Sequence, residues 1–343
     1  MKRKWTAALT AMIISAAMAV PQVQIPVSAA QIVQEESVLY GAAATGAEKD
    51  TNGDGVTDNG FVYTIAGTTA TITAYRGTAT ALTVPTRIEV AAGSSGAAAT
   101  TYDVTAISSA AFAGNAGLTS VTMQGGTTGT GSGSSAATAA TGLLTIGDRA
   151  FYGCPSLTTV TIPATVTSIG SQAFSDCPAL TALNVTAGNQ RYISNDGVLY
   201  EYVGYNAGAT AGYNTYTLLQ YPSGKLSAGY TAPAAIASRL TAIGQGAFAG
   251  AQALTSITLP ESVQVIGAEA FRNCSALTTI TIPAQVTTIP NYAFSGCSAL
   301  SSAAIPDNVV SIGEGAFQNC YGARGAFHLS LTVLVRYRSQ ESI

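Results

Sequence analysis

Histidine and charge are what this sequence lacks most. One histidine in 343 residues removes histidine triads, histidine metal sites and imidazole proton relays as organising chemistry. Charged residues make up 9% of the chain, far below the roughly 25% typical of soluble domains. Salt-bridged helices are therefore not the expected framework, and Thr, Ser, Ala and Gly in their place point to β structure. The net charge of −3 comes with no basic patch, so no nucleic-acid partner is expected. No phosphate-binding G-x-x-x-x-G-K-[ST] loop and no H-E-x-x-H motif occurs. The 17 acidic residues recur at no fixed spacing, which leaves no signature of paired catalytic carboxylates. An enzyme is not expected.

Long apolar runs are also scarce. The one present lies near the N-terminus, where Lys2, Arg3 and Lys4 precede the apolar stretch 7–20 and the small residues Val27-Ser28-Ala29-Ala30. This is the pattern of a secretory signal peptide over residues 1–30, and the stretch is short for an uncleaved membrane span. The expected location is secreted or cell surface, with no transmembrane segment after cleavage.

What the sequence has in abundance is repetition. The dipeptide Ala-Phe places Phe112, Phe151, Phe174, Phe248, Phe271, Phe294 and Phe317, and the steps from Phe151 to Phe174 and from Phe248 through Phe317 are each 23 residues. The shared pattern is L-T-x-I-x-I-P-x-x-V-x-x-I-G-x-x-A-F-x-x-C. In the coil Leu277–Ala299, Ile280 and Ile282 alternate with Thr279 and Thr281, the period-two signature of a short half-buried strand, and Pro283 ends it. Val286, Ile289 and Phe294 then point inward. The glycines after the isoleucine, Gly170, Gly267 and Gly313, are expected to make a tight turn. A single coil cannot bury its apolar side alone, so neighbouring coils must stack into one continuous core.

These motifs resemble the BspA-like leucine-rich repeats of bacterial and some protist surface proteins. The resemblance implies a mainly β chain with short helical or irregular turns, wound as a right-handed leucine-rich-repeat solenoid over residues 106–322. Residues 60–105, with Tyr63-Thr64-Ile65 and the run Ala70–Tyr75, resemble the family's N-terminal β cap. Residues 189–233, with Asn195-Asp196-Gly197 and Tyr221-Pro222-Ser223-Gly224, are similar to a β-hairpin island that interrupts its arrays. Residues 125–142 read as a flexible low-complexity insertion. Residues 323–343 match no repeat position and read either as an improvised cap or as the trace of a truncated or frame-shifted gene. Family members act mostly as surface binding or adhesion modules, so the resemblance implies an extracellular protein or glycan partner. The rival reading is a spacer or targeting region of a larger secreted enzyme cut short at its C-terminus. Oligomeric state is not legible.

Three groups of residues are candidates for contact. The five cysteines, Cys154, Cys177, Cys274, Cys297 and Cys320, each follow the coil phenylalanine by three residues, where Asn115 and Ala251 stand in other coils. They read as a core ladder of small side chains, without metal-type C-x-x-C clustering. Asp50, Asn52, Asp54 and Asp58 form D-x-N-x-D-G-x-x-D, which resembles acidic calcium loops. The other reading is a polar linker spanning 31–59. No cofactor is expected other than this possible calcium. Eight of the 16 tyrosines lie between Tyr192 and Tyr230. Tyr202, Tyr205, Tyr213 and Tyr216 are candidates for recognition, while Tyr200 and Tyr221 read as seats for the hairpin. Finally, Thr159, Thr161, Thr258, Thr279 and Thr281, with Ser120, Thr122 and Ser256, are expected to line up as hydroxyl rows on successive strands.

Overall fold

The computed structural model describes residues 47–91, 98–126, 142–203 and 215–323. The signal-peptide region, most of the low-complexity insertion, Tyr205, Tyr213 and the tail beyond Ala323 lie outside the described residues.

Each coil contributes two strands, and both stack in parallel on the next coil. The L-x-x-I-x-I segments form one row. Ala81–Val84, Ser120–Met123, Thr159–Ile162 and Ala182–Val185 make a first four-stranded parallel sheet. Gly229–Thr231, Ser256–Thr258, Thr279–Thr281 and Ser302–Ala304 make a second. The shorter V-x-x-I segments form the other row, among them Thr145–Ile146, Ser168–Ile169, Leu240–Ile243, Val265–Ile266, Thr288–Ile289 and Ser311–Ile312. Alternation is as the sequence implies: Val160 and Ile162 are fully buried while Thr159 and Thr161 are half-buried. The structure is a mainly β solenoid, with one short α-helix, Ala234–Ala237, and a 3-10 turn, Tyr321–Ala323, among the described residues.

A turn closes each coil, and its phenylalanines stack along the axis. Phe112, Phe151 and Phe174 have centroids 4.8 and 5.6 Å apart. Phe248, Phe271, Phe294 and Phe317 follow at 5.2, 5.0 and 5.2 Å. The second residue after each phenylalanine lies in the left-handed region, which explains why Gly153, Asp176, Gly250, Asn273, Gly296 and Asn319 occupy it. The Ile-Gly glycines open a turn as expected, with Ala270 N–H donating to Gly267 O at 3.2 Å and Ala316 N–H to Gly313 O at 3.3 Å, but left-handed backbone is not the reason for glycine. Gly170, Gly267 and Gly313 do not have left-handed backbones. A Cβ on Gly267 would stand 2.5 Å from Gln245 N and 2.6 Å from Gly244 C. These glycines are there because the backbone of the preceding coil passes against them.

The cysteine position also acquires a reason. Each thiol donates to the carbonyl of the preceding coil's phenylalanine: Cys177 to Phe151, Cys274 to Phe248, Cys297 to Phe271 and Cys320 to Phe294, all at 3.1 Å. All five cysteines are free thiols. The threonine of each Leu-Thr pair does similar work: Thr158 Oγ1 donates to Thr119 O at 2.7 Å and Thr278 Oγ1 to Thr255 O at 3.1 Å.

Two hydrophobic cores result, and the island joins them. In the hairpin Tyr192–Asn195 and Val198–Val203, alternation splits the side chains between the two. Tyr192 and Leu199 enter the N-terminal core; Ile193, Val198, Tyr200 and Tyr202 enter the C-terminal one. Tyr192 Oη also accepts from the Ile169 N–H at 2.9 Å, which covers an otherwise open strand edge. The next strand, Thr215–Gln220, pairs antiparallel with the hairpin and parallel with Leu240–Ile243. Tyr221 then stacks on Phe248 at 5.3 Å, and its N–H donates to Ala247 O at 2.7 Å. Phe151 and Phe248 make the same bond to Ala173 and Ala270. The island is therefore a rebuilt coil with Tyr221 in the phenylalanine slot, more than an inserted hairpin.

The N-terminal cap is longer than the sequence pattern implied. Glu48–Asp50 is a strand paired with Arg87–Val90, so the end of the expected 31–59 linker is part of the folded cap.

Candidate recognition surface

The hydroxyl rows form, but in two separate sheets. In the N-terminal sheet Ser120, Thr159 and Ala182 are in register, as are Thr122, Thr161 and Asn184. In the C-terminal sheet the rows are Gly229, Ser256, Thr279, Ser302 and Thr231, Thr258, Thr281, Ala304. The rows line up on successive strands as expected, as an interrupted array. The hairpin tip interrupts it: Leu183 N–H donates to Gly197 O at 2.9 Å, which places the tip on the edge of the strand Ala182–Val185. The two sheets also differ in exposure. Thr159 and Thr161 are half-buried, whereas Thr231, Ser256, Thr258, Thr279 and Thr281 are exposed. Unlike the Leu-Thr hydroxyls, those of Thr258, Thr279 and Thr281 make no hydrogen bond to the chain among the described residues. Strand spacing of about 4.8 Å and a two-residue rise of about 6.8 Å make this sheet a lattice of uncommitted donors and acceptors.

The tyrosine expectation changes character. Tyr202 and Tyr216 are buried, with rings 5.3 Å apart, and the Arg239 guanidinium lies 5.1 Å over the Tyr216 ring. Neither is presented to a partner, because both sit on the inward face of their strands. Tyr200 and Tyr221 are buried as well, and Tyr200 Oη lies 3.1 Å from Tyr230 Oη. Burial pushes the phenols of Tyr200 and Tyr221 up to about 12. Leu226, three residues ahead of the strand Gly229–Thr231, is 89% exposed, an apolar side chain that no motif had marked.

The acidic loop is knit together by its own hydrogen bonds. Asp50 is fully buried and accepts from Gly53 N at 2.6 Å, Gly55 N at 3.0 Å and Tyr63 Oη at 2.7 Å. Burial alone would raise its carboxyl, but these donors hold it below the usual carboxylate value. Asp54 accepts from Val56 N at 2.9 Å, Asn52 Oδ1 accepts from Asp54 N at 3.2 Å, and Asp58 accepts from both Thr51 N and Thr51 Oγ1. Among the described residues no three His, Cys, Asp or Glu side chains stand together as a metal site.

A charged cluster that the repeat pattern did not reveal spans the island. Arg272 pairs with Asp176 and, at 3.0 Å, with Glu269, and it donates to Tyr152 Oη at 3.1 Å; Tyr152 in turn donates to Asp176. Each carboxylate is engaged by a cation or hydroxyl, so the cluster ties coil turns together and presents no acid–base pair. Three of the thiols, Cys177, Cys297 and Cys320, are likewise unsuited to attack. The hydrogen-bonded neighbouring thiol and burial raise Cys177 and Cys297, and burial pushes Cys320 up to about 12.

Stacked short coils with parallel strands, inward aromatics and an exposed strand face define a solenoid repeat protein. A profile described as a BspA type leucine rich repeat region matches in six copies, over residues 134–197 and 232–335. The repeat region of this chain carries BspA-type leucine-rich repeats. Among solved structures, the chain is similar to a leucine-rich cell surface protein of Faecalibacterium prausnitzii, at 22% identity and a TM-score of 0.45, covering 80% of this chain and 95% of that one. It is also similar to a leucine-rich repeat protein of Eubacterium ventriosum, at 22% identity and a TM-score of 0.48, covering 66% and 58%. The pneumococcal vaccine antigen PcpA matches at 17% identity and a TM-score of 0.39, covering 79% and 87%. No curated protein matches the sequence. Among the described residues no helix is long and apolar enough to cross a membrane.

Proposed function

We propose that this chain is an exported, non-catalytic recognition module that binds an extracellular protein or glycan through the outer face of its C-terminal parallel sheet. The observation that carries the reading is the register of Ser256, Thr258, Thr279 and Thr281. Four exposed hydroxyl side chains sit in register on a parallel sheet, and the hydroxyls of Thr258, Thr279 and Thr281 have no partner among the described residues. Backbone stacking fixes their positions, so a ligand that hydrogen-bonds them does not have to order them first. A neutral, hydroxyl-rich face suits glycan hydroxyls and peptide backbone better than strongly charged ligands. Leu226, three residues ahead of the strand Gly229–Thr231, supplies an apolar anchor. The signal-peptide pattern supports export.

The test is binding of the purified chain, lacking residues 1–30, to an array of extracellular proteins and glycans, with and without calcium. Saturable micromolar binding that is lost in a Thr258→Glu/Thr281→Glu variant of unchanged fold supports the reading. Binding that survives this change but fails in Tyr205→Ser/Tyr213→Ser moves the site to the island. Silence across the array from folded protein contradicts it.

A further inference from the structure

The turn of the island coil is two residues short, and a cavity stands in their place. Gly170 N–H donates to Ile146 O, Gly244 N–H to Leu218 O and Gly267 N–H to Ile243 O, all at 2.8 Å, so Leu218 holds the position of the coil isoleucine. Four residues separate Ile169 from Phe174 and Ile243 from Phe248, but two separate Leu218 from Tyr221. A cavity of about 210 Å3 opens there, lined by Ser171, Gln172, Phe174, Leu199, Leu219 and Gln245 among others. It is far larger than one ordered water needs, and no charged side chain lines it among the described residues.

The missing backbone also deprives its neighbours of their usual partners. In the regular coils the phenylalanine and the second residue before it each donate to the next coil. Arg149 N–H donates to Ser171 O, Phe151 to Ala173 O, Gly246 to Ala268 O and Phe248 to Ala270 O, at 2.7 to 3.0 Å. The corresponding N–H groups of Gln172 and Phe174 reach no acceptor among the described residues, although both residues are buried. Across the gap, Gln245 O stands where Ser171 O and Ala268 O stand in their coils, and it accepts from no donor among the described residues. Buried backbone groups are rarely left unpaired. Two donors and one acceptor around a neutral cavity are the complement of a secondary amide.

Side chains span the shortened turn. Ser175 Oγ donates to Gln220 Oε1 at 2.8 Å, and Ser171 Oγ to Gln245 Oε1 at 2.9 Å. Ser171 and Gln245 are exposed, whereas Phe174 and Leu199 are buried, so the cavity has a polar mouth and an apolar interior.

We infer that this cavity binds the acetamido group of an N-acetylated sugar. The acetamido carbonyl accepts from the Gln172 and Phe174 N–H groups, its N–H donates to Gln245 O, and its methyl packs on Leu199 and Leu219. Ring hydroxyls then meet Ser171 and Gln245 at the mouth. A pendant group can enter there and end against Leu199, whereas a peptide backbone has to continue on both sides. The site uses none of the sheet hydroxyls, so it stands or falls separately from binding at the sheet.

The test titrates the isotope-labelled chain, lacking residues 1–30, with N-acetylglucosamine, glucose or N-acetylglycine N-methylamide, and reads the amide resonances of Gln172 and Phe174. Without ligand these amides should exchange at least tenfold faster than those of Arg149 and Phe151. N-acetylglucosamine should shift them saturably at millimolar concentration, and glucose should not. Leu219→Trp, which fills the cavity, should weaken this binding at least tenfold. Insertion of Ala-Gly between Leu219 and Gln220 restores the coil length, with glycine where Arg149 and Gly246 have left-handed backbones. It should abolish binding and slow both amides. Silence from folded protein, an equal response to glucose, a response to the peptide amide alone, or binding retained in both variants overturns the inference. So does slow exchange of Gln172 and Phe174 without ligand.

Discussion

Adding one methyl group to Gly267 distinguishes packing from turn geometry. Its backbone is one an alanine adopts readily, so Gly267→Ala would on entropy alone stabilise by about 0.4–1 kcal/mol. The methyl, however, would meet Gln245 N at 2.5 Å, Gly244 C at 2.6 Å and Gln245 Cα at 2.8 Å. All three are backbone atoms of the adjoining coil, so no side chain can swing aside. The coils must part by about an ångström, straining the bond from Gly267 N–H to Ile243 O, 2.8 Å long in the native stack. Overpacking of this kind costs about 1–3 kcal/mol, which outweighs the entropic gain and leaves a net loss of about 1–2 kcal/mol. Gly250 is the control. Its φ is +76° and its nearest neighbour, Asp176 Oδ1, is 3.5 Å from the added carbon. Alanine there costs about 1–2 kcal/mol through left-handed strain, and asparagine should recover most of it, as Asn273 and Asn319 do natively. At Gly267 asparagine should be worse than alanine. Urea unfolding of the four variants, with amide exchange at Leu240–Ile243, measures both effects. A neutral or stabilising Gly267→Ala, or rescue of Gly267 by asparagine, would refute the close-approach argument.

Other consequences follow from the same stack. Phe271→Ala, which removes a buried ring with partners on both sides, should destabilise by about 3–5 kcal/mol. Phe317→Ala, which removes a ring only partly buried against the core, should cost less in the same urea titrations. Asp50 is held below its usual value in the fold, so the stabilisation it gives is present above about pH 4 and lost as acid protonates it. Melting of the N-terminal cap should therefore fall steeply below pH 4, and Asp50→Asn should flatten that dependence while lowering stability at pH 7. With their thiols buried and raised, Cys177 and Cys297 should resist iodoacetamide at pH 8 in the native chain and react fully in urea. Prompt native alkylation, read by mass, would contradict their placement in the core.

Much of this architecture was legible because each coil repeats the same contacts. Leu277, Ile280, Val286 and Phe294 mark the buried positions of a coil in sequence and are buried in the structure. What was hidden depends on relations between coils. Tyr221 takes the phenylalanine slot, yet its separations from Phe174 and Phe248 break the 23-residue period. Asp176 meets Arg272 across 96 residues of sequence, a pairing that no single-coil alignment contains. The only hint was a charged pair at turn positions where other coils carry small or neutral residues. Tyr202 and Tyr216 looked exposed because glycine and asparagine surround them in sequence, but strand alternation turned both inward. Threonine had two meanings the sequence could not separate. After leucine it bonds the coil above, as Thr278 does, whereas at Thr279 and Thr281 it faces solvent.

The central claim is that recognition occurs on the face carrying Ser256, Thr258, Thr279 and Thr281. Hydrogen-exchange footprinting of the chain with a captured protein or glycan tests it most directly. The account predicts ligand-induced slowing concentrated in Gly229–Thr231, Ser256–Thr258 and Thr279–Thr281, with the strands Ser120–Met123 and Thr159–Ile162 unchanged. Protection confined to the N-terminal sheet, or to the cap around Asp50, would contradict it.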